Sequence, residues 1–301
     1  QFYLYWTPGT NRISQFTHQE NQGGLTSSAS QSSETIVWEN DGQASSGHVG
    51  GGLDFGPQGA LWLTVGEQHN GEGGQNPSHT FGKVIRVNPD GSIPQNNPYV
   101  GDGDPDTLPE VFALGLRNPF TASWDLQSDH QRFYIGDVGG NQGYDYEEIN
   151  AITPQDIQNA SNGDVVNFGW NECEGVYDNN NYPTPCPLDN HRAPFWDYVH
   201  TSADVYTDGS IVDGDVYHGD MFPAKYQGAY FFGDQSNDWI KYATFHQNGS
   251  IDEVQTLADE VEGPVHMEEG PDGALYYLRY SYNGPQDFKK ITYEDPTDTT
   301  P

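Results

Sequence analysis

The stretch SGHVGGGLDFGPQGALWLTVGE (46–67) places one histidine, His48, directly before a run of glycines. An imidazole titrates near pH 6.5, so His48 has the right chemistry to take a proton from a hydroxyl at neutral pH. Small neighbours would let a flat ligand lie close to it. The plainer alternative is a surface histidine beside a turn. Other candidates reduce to simpler roles. His69 and His79, in EQHNGEGGQNPSHTFG, have metal-ligand chemistry but lie in what reads as a solvated loop between strands. Asp102, Asp104 and Asp106 begin like a calcium loop, yet Thr107 and Ala113 stand where an EF-hand needs Gly and Glu, which leaves an acidic turn. Glu147 and Glu148 are an acid/base pair by type, but neighbours on a strand point to opposite faces, so one is read as structural. Cys173 and Cys186, in NECEGVYDNNNYPTPCP, lack CxxC spacing and read as a local disulfide formed in an oxidising compartment. No Ser-His-Asp arrangement and no phosphate-binding glycine loop stands out.

The elements that must hold these residues are strands. GALWLTVGE (59–67), QRFYIGDVG (131–139), GAYFFGDQS (228–236) and GALYYLRYS (273–281) share a small residue, an apolar-aromatic run and a turn. Each is followed by a second, more polar strand, and FYLYWTPGTNRISQF opens the chain with the same pair. The 36 Gly and 20 Pro punctuate the sequence every few residues, and helical periodicity is hard to find. Repeated multi-strand units in order predict an all-β fold of the propeller type; a β-sandwich gives no reason for such a repeat. The copies run over about 1–40, 46–100, 110–170, 205–255 and 262–294. The first copy lacks its innermost strand. A blade-sized gap leaves an open edge, so the first blade is expected to be missing from this chain. Residues 1–294 then form the propeller domain, and 295–301 begin a Thr/Pro/Asp-rich linker. The strand near Phe2–Trp6 is expected to pair with that blade or with a partner chain.

Eleven Lys and Arg against 44 Asp and Glu give a formal net charge of −33. That charge repels nucleic acid and anionic membranes. No apolar run is long enough to span a bilayer and no signal peptide is evident. Aromatic residues at 13% supply a core, so the chain reads as folded and adapted to high salt, outside the cell or on its surface.

The ordered set GHVGGGLDFGPQGALWLTVGE, GKVIRVNPDGSIPQNNPY, ALGLRNPFTASWD, YIGDVGGNQGYDYEEIN, NFGWNECEG, SIVDGDVYHG, FPAKYQGAYFFGD and GPDGALYYL resembles the glucose/sorbosone dehydrogenase family over residues 1 to about 293. The resemblance implies a six-bladed β-propeller of four-stranded antiparallel blades that oxidises aldose sugars with pyrroloquinoline quinone (PQQ) and Ca²⁺. By the same resemblance His48 is the catalytic base, and the glycines after it keep the pocket floor open to the planar cofactor. Arg117 and Asn118 hold the quinone oxygens, Arg117 also stabilising charge on the reduced cofactor. Gly139, Gly140 and Tyr206 contact the cofactor, while Asp137, Val138, Gly139 and Glu148 ligate Ca²⁺. Three positions depart from the pattern: Glu268 and Glu269 replace an arginine-x-arginine, DQSNDW offers no lysine, and Gly47 stands where some members carry aspartate. These departures motivate the alternative of a non-catalytic extracellular propeller that binds carbohydrate or protein.

Overall fold

A computed structural model of the chain describes residues 1–20, 27–40, 42–140, 145–199, 209–280, 284 and 286–293. The chain divides into two compact units. The first comprises Gln1–Pro119, Pro154–Cys173 and Cys186–Arg192; the second comprises Phe120–Thr153, Glu174–Pro185 and Ala193–Pro301.

In the first unit, strands Phe2–Trp6, Arg12–Phe16 and Thr35–Glu39 form a three-stranded sheet. Phe2–Trp6 lies at its edge, pairing Phe2 with Phe16 and Trp6 with Arg12. Only Leu4 on that strand is exposed; its other residues are half-buried. A second sheet orders Val166–Asn167, Val111–Leu114, Lys83–Val87, Leu61–Val65 and Leu53–Phe55. Leu61–Val65 and Lys83–Val87 are buried at every position. Both faces are covered, which is why these strands read as near-continuous apolar runs rather than alternations. Leu61, Leu63 and Val65 point into one core with Ile13, Ile85 and Val87. On the opposite face Trp62 meets Phe112 edge-on, with the Arg86 guanidinium 5.2 Å from its ring. Lys83 is buried too: its Nζ donates to the carbonyls of Gly73, Gly74 and Phe81 at 2.5, 2.8 and 2.6 Å, and burial pushes its pKa down to about 7.

In the second unit, Pro119–Asp125, Arg132–Asp137, Tyr146–Ile152 and Trp196–Val199 make a four-stranded sheet. Ile211–Val212, Tyr230–Asp234, Trp239–Phe245 and Ile251–Asp259 make another, and Pro264–Glu269, Leu275–Tyr280 and Gln286–Ile291 a three-stranded one. Strand Tyr230–Asp234 shows how adjacent sheets share a core. Tyr230 and Phe232 pack with Tyr134, Ile211 and Trp239, whereas Phe231, pointing the other way, packs with Tyr217, Met267 and Leu275.

The fold is all-β with one short α-helix, Pro154–Ala160, among the described residues. The five sheets of three or more strands follow one another along the chain as propeller blades do, and they match the five sequence copies. Among the described residues these sheets have three, five, four, four and three strands rather than a uniform four. One boundary moves as well. Val111–Leu114, read as the start of the third copy, pairs with Lys83–Val87 in the second sheet. The Cys173–Cys186 disulfide forms as expected. No helix among the described residues is long and apolar enough to cross a membrane.

Candidate active site

His48 lies in the segment leading into strand Leu53–Phe55, with its backbone in the left-handed region at φ 49°. Its carbonyl accepts from the Gln68 N–H at 3.1 Å. That approach explains one glycine: a Cβ at Gly66 would stand 2.1 Å from the His48 carbonyl oxygen. A backbone contact, then, demands a residue without a side chain at this point.

The ring of His48 has a partner that sequence reading missed. His48 Nδ1 is 2.5 Å from Glu67 Oε1, and Glu67, just beyond strand Leu61–Val65, is buried with 3% exposure. Burial pushes the Glu67 carboxyl up. The His48 hydrogen bond and charge, the His69 backbone N–H and the Arg117 charge together outweigh it, and its pKa ends below the ordinary carboxylate value. An ionised carboxylate only accepts hydrogen bonds, so Glu67 Oε1 accepts from a protonated His48 Nδ1, and a ring that is neutral overall then carries its lone pair on Nε2. The Glu67 N–H donates to the Arg117 carbonyl at 2.7 Å, which ties the pair to the bend carrying Arg117 and Asn118. Both of those residues are half-buried, and the Arg117 guanidinium lies 5.5 Å from the Trp170 ring. The first unit thus brings together His48, Arg117 and Asn118, joined through Glu67.

In the second unit two of the residues expected to ligate a cation stand side by side. Asp137, ending strand Arg132–Asp137, stands opposite Glu148 in the antiparallel register. Both are buried. Burial first, then the charges of Asp137 and Glu174, pushes the Glu148 carboxyl well up. Its Oε1 accepts from the Gly175 N–H at 2.7 Å and its Oε2 from Asn150 at 2.9 Å. Glu147 has the structural role, accepting from the Gly139 and Ile211 N–H groups at 3.2 and 2.7 Å. Glu174 was not anticipated; its Oε1 accepts from the Gly140 N–H at 2.9 Å. Gly139 leaves no space for a side chain, since a Cβ would stand 2.0 Å from the Tyr146 carbonyl oxygen. Val138 is half-buried beside it. Tyr206 lies outside the described residues.

The remaining candidates resolve simply. Asp102, Asp104 and Asp106 are exposed, and their turn closes on itself: Asp102 accepts from the Asp104 N–H at 3.0 Å and from the Thr107 hydroxyl at 2.8 Å. His79 stacks on Phe81. Glu269, where the family pattern carries arginine, accepts from the His218 and Gly219 N–H groups at 2.7 and 2.8 Å. Glu268 beside it extends an exposed side chain.

Comparison with known proteins identifies the family. The chain is 28% identical over 286 residues to the HIPL2 protein of Arabidopsis thaliana, covering 82% of this chain and 37% of that protein. It is 24% identical over 240 residues to the aldose sugar dehydrogenase YliI of Escherichia coli, covering 79% of this chain and 58% of that protein. It therefore spans less than two thirds of either relative. Its fold is that of the PQQ-bound aldose sugar dehydrogenase of Streptomyces coelicolor, with a TM-score of 0.67 at 19% identity over 96% of this chain and 74% of that one. The description Glucose / Sorbosone dehydrogenase matches residues 1–286, and the chain belongs to that family.

Proposed function

We propose that this chain is the catalytic domain of a quinone-dependent aldose dehydrogenase, with His48 as general base. The observation that carries the reading is the buried, ionised Glu67 hydrogen-bonded to His48 Nδ1, which directs the ring's basic nitrogen outward for a substrate hydroxyl. Glu67 orients the ring and offsets the positive charge it gains on taking the proton. The donor set fits the implied cofactor: Arg117 and Asn118 are half-buried and polar, with capacity to bind quinone and carboxylate oxygens. When bound, PQQ supplies the acceptor for the hydride leaving the sugar carbon. Asp137, Glu148 and Glu174 are buried carboxylates whose like charges oppose one another, and hard oxygen donors of this kind fit Ca²⁺. With Glu268 and Glu269 supplying no positive charge, this reading assigns cofactor anchoring in the first unit to Arg117.

A count of six blades belongs to the same proposal. So does an oxidising, high-salt extracellular setting, which the disulfide and the net charge of −33 support. Calorimetric titration with PQQ, with and without Ca²⁺, tests the reading. Binding at micromolar or tighter affinity that needs Ca²⁺ and weakens in Arg117→Ala is expected. Absence of binding would turn the assignment to a non-catalytic platform, the reading that Glu268 and Glu269 favour.

A further inference from the structure

We propose that His48, Glu67 and His69 form a binding site for a divalent transition-metal ion of the zinc class. Each residue offers one ligand atom, and these atoms lie within 4.8 Å of one another. Two imidazoles and a carboxylate suit zinc or cobalt; an oxygen-seeking ion such as Ca²⁺ would not select them. The other described group at similar spacing, Cys173, Cys186 and His191, has its sulfurs committed to the disulfide.

Two of the three ligands are anchored through their backbones. Glu67 donates its N–H to the Arg117 carbonyl, and the His48 carbonyl accepts from the Gln68 N–H. The third is placed by an absence on the other side. A Cβ at Gly47 would stand 2.8 Å from His69 Nε2, so the bare glycine there gives the His69 ring its room. The two rings lie 4.1 Å apart, centroid to centroid, at 41°. Zinc–ligand bonds of about 2.0–2.2 Å put tetrahedral ligand atoms about 3–3.5 Å apart, so the 2.5 Å His48–Glu67 contact has to open a little and the wider spacings to close in. His69 is exposed and supplies that movement, and it leaves an open side for entry and for a water ligand. The Arg117 charge, which reaches Glu67, opposes a second cation and weakens its binding. The site stands on this geometry whether or not His48 serves as a base. A metal held on His48 removes a nitrogen from proton transfer.

The test is a Co²⁺ titration followed by visible absorption, paired with a Zn²⁺ titration by calorimetry. The disulfide is kept intact and Ca²⁺ is in excess to occupy oxygen sites. One saturable site per chain is expected, weakened about tenfold or more in His69→Ala. Circular dichroism on the same sample checks folding, and His69→Gln repeats the measurement with the side-chain volume largely kept. Equal affinity in wild type and variants, or no saturable site in wild type, overturns the proposal.

Discussion

His48 and Glu67 form a pair whose strength depends on which of them carries charge. The folded pKa of Glu67 lies below its unfolded value, so the stability it contributes is present above the ordinary carboxylate range. That contribution is lost as pH falls through the folded value. Glu67→Gln is therefore expected to destabilise the protein at pH 7 by about 1.5–3 kcal/mol, the worth of a buried hydrogen bond to a charged group. At a pH below the folded value the difference from wild type should largely vanish. Denaturant unfolding in molar salt at the two pH values measures this, and an equal loss at both would show that Glu67 acts through packing rather than charge. His48 drew notice in the sequence because it stands directly before a run of glycines. Glu67 and Glu174 did not, because nothing local distinguishes them among 44 acidic residues; only the fold reveals which acids are buried.

At the scale of elements, strand Leu61–Val65 and the segment carrying His48 meet through their backbones, and Gly66 is the point of contact. Gly66→Ala would push a methyl group into the His48 carbonyl oxygen, which backbone on both sides resists. An expected loss of about 2 kcal/mol or more follows from the clash, along with displacement of the His48 ring from Glu67. Thermal unfolding checks the first effect and the NMR shifts of the His48 ring the second; a variant as stable as wild type would refute the close approach. Strands such as LWLTV and YFFGD were readable from composition because they are buried on both faces. Pairing was less so. Val111–Leu114 has the same apolar character whether it closes the second sheet or opens the third, and turn residues do not record which neighbour a strand chooses. The unequal sheets, of three to five strands, escaped a repeat-based reading for the same reason.

For the molecule as a whole, charge dominates. With 44 acidic and 11 basic residues, most carboxylates have no cation to meet, and compaction crowds them. The screening length shortens from about 10 Å at 0.1 M salt to about 3 Å at 1 M. The melting temperature is expected to rise steeply over that range in KCl, and a flat profile would mean that the acidity is not an adaptation to salt. The central claim, that His48 is the base of a sugar-oxidising site, has a more direct test. The protein is reconstituted with PQQ and Ca²⁺ in molar salt, and aldose-dependent reduction of an artificial electron acceptor is followed for wild type and His48→Ala. The account predicts turnover in wild type and a kcat lower by about 10²–10⁴-fold in the variant, with cofactor affinity retained and the fold intact by circular dichroism. No turnover by wild type across a panel of aldoses, or a variant as active as wild type, would contradict it.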